Sequence, residues 1–281
     1  MDILDAIILG IIQGLTEFLP VSSSGHICIF NYILNTNLSS ENYVLMNVVL
    51  HAATASSIVY TFRKDLYEIF LGLLKKEKEQ INFSFKIILS MTPAIIVGLL
   101  LEKKIKSLFS GENQFLIEMI GVNHILYLVG TMLLITAYLL LLADKAKPSK
   151  KNITILGSIM IGFSQAIAIL PGISRSGSTI ATSVLLGVDK EKSARFSFLM
   201  SVPLIIGIMC KELYSIITSE SCDPDANYAS LLIGFCTAFI IGIFACKWMI
   251  NLVKNSQLKY FSYYCVIIGV SVIIFQYINN A

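Results

Sequence analysis

Two short strings in this sequence hold the residue types that handle phosphate. The first runs Gln13-Gly14-Leu15-Thr16-Glu17-Phe18-Leu19-Pro20-Val21-Ser22-Ser23-Ser24-Gly25-His26. The second runs Pro171-Gly172-Ile173-Ser174-Arg175-Ser176-Gly177-Ser178-Thr179. Glu17 could serve as a base, or as a ligand for a divalent cation beside a phosphate. Gln13 stands four residues earlier, on the same face of a helix, where it can donate and accept hydrogen bonds but cannot act as a base. Ser23 is a candidate nucleophile. His26, three residues on, could take a proton from a serine or a water, or return one to a leaving oxygen. Arg175 is a fixed cation whose planar fork suits phosphate. Ser22, Ser24, Gly25, Ser174, Ser176, Gly177 and Thr179 would offer hydroxyls and closely approached backbone N–H groups to the phosphate oxygens. Each residue has a plainer reading: a capping serine, a packing histidine or amide, a solvated glutamate, an ion pair of purely structural value. Their company in two matched settings favours the chemical one.

Those settings are membrane dips. Of 281 residues, 56% are hydrophobic and only 14% charged, against roughly 25% charged in ordinary soluble domains. The composition excludes a soluble enzyme, a DNA-binding domain and a disordered chain. Long apolar runs without strand alternation predict an all-α integral membrane protein. Six runs are clean, at about 43–62, 85–101, 121–143, 196–216, 228–250 and 260–278, each near the length of a helical span. Two are interrupted. Residues 3–34 break at Pro20 and the serine run, and residues 152–187 break at Pro171-Gly172 and its serine run. Arms of this length predict two re-entrant helical hairpins. An unpaired guanidinium in such a dip is costly, at roughly 3 to more than 10 kcal/mol, so Arg175 needs a carboxylate or phosphate partner.

The interrupted segments echo each other at an offset of 152: Gly10 with Gly162, Gln13 with Gln165, Ser22 with Ser174, Ser24 with Ser176, Gly25 with Gly177. A second echo sets Lys64-Asp65-Leu66-Tyr67 against Lys211-Glu212-Leu213-Tyr214. Three spans separate the hairpins, and an odd number turns the second half over. The expectation is an inverted-topology repeat within one membrane domain, 1–143 and 152–281, each a hairpin plus three spans. Loops 63–86, 144–152, 188–195 and 247–259 carry 16 of the 21 basic residues. The positive-inside rule places those loops in the cytoplasm and both termini outside. Lys103, Lys104 and Lys106 fall on the opposite side, with an acidic loop of Glu220, Asp223 and Asp225. The first hairpin then dips from outside, the second from inside, and their tips meet near the midplane in a site that opens outward.

Other features are expected to be quiet. Five of six cysteines (Cys28, Cys210, Cys236, Cys246, Cys265) lie in apolar runs and read as small buried hydrophobes; Cys222 lies in a polar loop. His51 heads a small-residue run and reads as a packing residue, and His124 has no chemical company. The acidic start, with Asp2 and Asp5, predicts no cleaved signal peptide. Scattered lysines without interleaved aromatics argue against a nucleic-acid partner.

The strings QGLTEFLPVSSSGH and PGISRSGST closely resemble the two signatures of the bacterial undecaprenyl-pyrophosphate phosphatase (bacitracin-resistance) family. The resemblance covers the whole chain. Gln13 and Glu17 match that family's (Glu or Gln)-x-x-x-Glu, followed by Ser23 and His26. Pro171, Gly172, Ser174, Arg175, Ser176 and Thr179 match its Pro-Gly-x-Ser-Arg-Ser-x-x-Thr. The resemblance implies removal of the terminal phosphate of undecaprenyl pyrophosphate, yielding the carrier lipid of cell-wall synthesis, in a bacterial plasma membrane. It also implies a divalent cation, usually Mg2+, although Gln13 leaves Glu17 as the one acidic ligand in the motif. The expected partners are the polyprenyl pyrophosphate and the bilayer, with a homodimer allowed. A second lipid-phosphatase class uses Ser-Arg-x5-His-x3-Asp, but Ala181 and Leu185 stand at those places. Inverted repeats and broken helices also suit a transporter of a polyprenyl phosphate, the alternative reading.

Overall fold

The computed structural model describes residues 2–33, 41–109, 124–147, 149–218 and 227–280. Among these residues the chain is helical: α1 (Ile3–Thr16), α2 (Ser23–Ile33), α3 (Glu41–Thr61), α4 (Arg63–Leu74), α5 (Lys78–Phe109), α6 (His124–Asp144), α7 (Ile155–Ile167), α8 (Arg175–Leu185), α9 (Lys190–Thr218), α10 (Tyr228–Lys254) and α11 (Leu258–Asn280). Cys222, Glu220, Asp223 and Asp225 lie outside the described residues, as do the side chains of Lys103, Lys104, Lys106 and His124.

Among the described residues five stretches are long and apolar enough to cross a membrane: Lys78–Leu101, Ile125–Asp144, Lys190–Lys211, Tyr228–Lys254 and Leu258–Asn279. The run expected at 43–62 differs from these. It qualifies together with α4, from which it is bent by 73° at Phe62, and counting that pair as one span gives six. The charges of α4 (Arg63, Lys64, Asp65, Glu68) mark where the apolar run ends. Helix α5 begins earlier than the apolar run predicts, since the polar residues from Lys78 extend it without crossing anything. Pro93 sits inside α5 and cannot donate to Leu89; the Thr92 hydroxyl takes that carbonyl instead, at 2.8 Å.

The two interrupted segments become short helix pairs, α1–α2 and α7–α8. The second leaves where it came in: Lys151 and Val188 form a parallel bridge, and Asp189 N–H donates to the Lys151 carbonyl at 3.1 Å. The four basic loops lie together on that side. Arg195 pairs with Asp65 and Lys254 with Glu191, Lys190 donates to Ser256 and Lys192 to Asn152, and the Lys259 N–H reaches Asp144.

Helix packing crosses between the halves. α1 packs on α10 while α7 packs on α5, α6 packs on α11, and α3 packs on α9. Lipid supplies no hydrophobic drive between helices, so small residues that let backbones approach decide such contacts. Gly10 and Gly162, equivalent under the 152-residue offset, do this for α1 and α7. A Cβ on Gly10 would stand 2.9 Å from the Gly234 carbonyl, and one on Gly162 would stand 2.5 Å from the Ser90 carbonyl. Gly162→Ala is therefore expected to destabilise the fold by about 1–3 kcal/mol through overpacking against backbone. A lowered melting temperature in detergent checks this, with the smaller drop expected for Gly10→Ala.

The cysteines divide. Cys246 and Cys265 are buried, whereas Cys210 and Cys236 are exposed on the helix surface, against the expectation that all would be buried; all five described cysteines are free thiols. On a membrane protein an outward-facing cysteine meets lipid, and an apolar sequence run alone does not separate that from burial.

Candidate active site

Both dips break at a serine that caps the helix after it. Ser174 is the N-cap of α8, and its hydroxyl accepts the Gly177 N–H at 3.0 Å. Ser22 precedes α2, and its hydroxyl accepts the Gly25 N–H at 3.3 Å. The two bonds correspond under the offset of 152, so a duplicated string folds into a duplicated cap. The tips also interlock. The Gly172 N–H donates to Ser22 Oγ at 3.1 Å, and a Cβ on Gly25 would lie 3.0 Å from Gly172 Cα. Gly172 has φ +97°, a conformation glycine alone adopts freely. Thr136 of α6 anchors this turn, donating to the Gly172 carbonyl at 3.0 Å and accepting the Ser174 N–H at 3.1 Å. Nothing in the apolar run 121–143 singles out Thr136 for this duty.

The interlock brings the candidate residues together on one carboxylate. Glu17 ends α1 and is nearly closed off, its side chain 7% exposed. Gln13 Nε2 donates to its Oε2 at 3.1 Å, and Ser23 Oγ donates to the same oxygen at 2.7 Å. Arg175 Nη2, from the other half of the chain, donates to Oε1. That ion pair answers the cost of a guanidinium in the membrane. Arg175 keeps further N–H donors free of Glu17, and its side chain is 20% exposed.

Burial sorts the remaining residues. Ser23, Ser24 and Arg175 stay partly or fully open, whereas Gln13, Glu17, Ser22, Gly25, His26, Ser174, Ser176, Gly177 and Thr179 are buried. Ser22 and Ser174 spend their hydroxyls on the caps. Ser176 Oγ lies 3.4 Å from the Leu19 carbonyl. Thr179 Oγ1 donates to the Arg175 carbonyl at 2.8 Å and lies 2.6 Å from Ser197 Oγ. These four groups shape the tips from within. Of the two candidate bases for Ser23, the fold brings up Glu17. Ser23 bonds Glu17, while His26 places Nδ1 2.8 Å from the Ser22 carbonyl and Nε2 2.8 Å from the Tyr264 hydroxyl. His51 of α3, read as a packing residue, has its Nδ1 2.8 Å from the Asn47 carbonyl.

A bundle of apolar helices, with two helix N-termini meeting around a carboxylate, an arginine and a serine, defines an integral membrane protein with an intramembrane polar centre. A family model described as bacitracin resistance protein BacA matches residues 6–271, and the chain belongs to that family. It is 55% identical to an undecaprenyl-diphosphatase of Christiangramia forsetii over 99% of both chains. It is 42% identical to one of Bacteroides fragilis over 98% of each chain, and 40% identical to one of Methanococcus vannielii over 97% of this chain and 100% of that one.

Proposed function

We propose that this chain hydrolyses undecaprenyl diphosphate to the monophosphate and inorganic phosphate, and that the Glu17–Arg175 centre performs the reaction. The observation that carries the site assignment is the shared carboxylate: a serine hydroxyl on one oxygen and an arginine on the other, at the only two helix N-termini that the tips bring together among the described residues. The lipid tail lies in the bilayer and the diphosphate enters between the tips. Arg175, the tip N–H groups and Ser24 hold the phosphates and offset the charge of the transition state. Glu17 takes the Ser23 proton as Ser23 Oγ attacks the terminal phosphorus. The phosphoanhydride bond breaks, undecaprenyl phosphate leaves, and a water then hydrolyses the phosphoserine. The familial activity implies roles in carrier-lipid recycling and bacitracin resistance. Phosphate release from a long-chain prenyl diphosphate, by the purified full chain in detergent, tests the reading; an inactive, folded protein would sink it.

The same polar centre bears on the cation. No cluster of three or more His, Cys, Asp or Glu side chains capable of holding a metal occurs among the described residues. Gln13 Oε1, however, is buried beside Glu17 without a hydrogen-bond partner. One carboxylate and one amide oxygen match a Mg2+ ion that arrives largely on substrate phosphates rather than in a dedicated cage. Glu17 and Gln13 would hold the ion, which supplies further neutralisation of phosphate charge. Gln13→Ala is expected to raise the Mg2+ concentration for half-maximal phosphate release by about tenfold or more. A titration from chelated protein checks this, and an unchanged curve removes Gln13 from the cation site.

The placement of the basic loops on one side, with the positive-inside rule, supports cytoplasmic loops 63–86, 144–152, 188–195 and 247–259, outward termini and an outward-opening site. The crossed packing of α1 on α10 and α7 on α5, through equivalent glycines, supports the repeat 1–143 and 152–281.

A further inference from the structure

His26 has no free nitrogen. A carbonyl oxygen only accepts, so the 2.8 Å contact to the Ser22 carbonyl puts the proton of the neutral ring on Nδ1. Nε2 then accepts the hydroxyl proton of Tyr264, also at 2.8 Å. The two rings stack, with centroids 5.6 Å apart and planes 11° apart. Tyr264 belongs to α11, 238 residues further along the chain.

What the imidazole grips is an unusual turn. Ser22 has φ +70°, a backbone conformation that a side-chain-bearing residue keeps only when its surroundings hold it. Its carbonyl takes both the His26 backbone N–H at 3.1 Å and the ring Nδ1. This left-handed residue immediately precedes Ser23, so its conformation sets the direction in which the Ser23 hydroxyl leaves the chain. That hydroxyl meets Glu17 at 2.7 Å.

We propose that His26 and Tyr264 are positioning residues: the stacked pair struts the left-handed Ser22 turn and so aims Ser23 at Glu17, and His26 does not carry the proton of the reaction. Tyr264 ties the strut to the second half of the chain, from which Arg175 also comes. The proposal rests on Ser23 and Glu17 as the reacting pair.

Three variants of the full chain, His26→Asn, His26→Ala and Tyr264→Phe, separate a strut from an acid–base group by kcat and KM for prenyl diphosphate. Asparagine keeps an N–H near the place of Nδ1 but cannot relay a proton between two sites. For a strut, His26→Asn stays within about tenfold of wild type while His26→Ala falls about a hundredfold. Tyr264→Phe keeps the stack, loses one hydrogen bond, and lowers kcat about fivefold with KM unchanged. His26→Asn as inactive as His26→Ala would overturn the proposal, and full activity in Tyr264→Phe would remove Tyr264 from it. A second measurement does not depend on turnover. The chain has three histidines, so 15N-histidine resonances in detergent are assignable by single substitutions. The strut requires the Nδ1–H tautomer at His26 and a shift of its Nε2 resonance in Tyr264→Phe. An Nε2–H tautomer or an imidazolium would overturn it. A Ser23→Ala protein that keeps its turnover would instead sink the reacting pair, and the tautomer would still report on the strut.

Discussion

Arg175→Ala is expected to lower phosphate release at least about a thousandfold, the scale seen when a preorganised donor to a transferring phosphoryl group is removed. The expectation follows from position and from spare donors. Arg175 reaches Glu17 with one guanidinium nitrogen and remains part-open where Glu17 is closed off. In the variant Glu17 keeps Gln13 and Ser23 as donors, so the carboxylate is not stranded and the fold should survive in detergent. Size exclusion and a melting curve would show this. Arg175→Lys keeps the charge but loses the planar fork, and should restore little of the lost rate. Near wild-type release by Arg175→Ala would mean that the ion pair serves structure alone. Impaired folding with intact specific activity would point the same way.

The sequence carried much of this because membrane chemistry is sparing. When 14% of residues are charged, a glutamate and an arginine inside apolar segments stand out, and the offset of 152 marks the two segments as partners. The caps at Ser22 and Ser174 follow from the same strings. What the strings do not encode is which partner each group takes across the fold. His26 stands three residues after Ser23 on α2, a spacing that leaves open whether it or Glu17 takes the serine; in the fold Ser23 bonds Glu17, while His26 bonds the Ser22 carbonyl and Tyr264. Neither Tyr264 nor Thr136 interrupts its apolar run, because a hydroxyl that satisfies one buried group leaves hydropathy almost unchanged. The bend at Phe62 was hidden too, since apolar length fixes where a span ends but not the direction the chain then takes.

Ser23→Ala and Glu17→Gln should each reduce turnover by about a thousandfold or more, and the double variant should be little worse than either, because a nucleophile and its base act as a unit. The hydrogen bond has the required sense: Ser23 Oγ donates to Glu17 Oε2 at 2.7 Å, so the proton to be removed already points at the group that would take it. Arg175 on the other oxygen fixes the carboxylate without occupying the serine's side, and Gln13 steadies Oε2 from the helix behind it. Glutamine at 17 would keep the shape and could still accept from Ser23, but could not hold the proton. Single-turnover kinetics distinguish the two routes to phosphate. Attack by Ser23 passes through a phosphoserine, detectable by quenching a reaction with a terminally labelled diphosphate, and no label should remain on Ser23→Ala. Attack by water predicts the reverse: substantial release from Ser23→Ala, no labelled protein, and a Glu17→Gln variant that alone is silent. In that outcome Ser23 would become a group that orients Glu17, and the carboxylate would keep its place as the base.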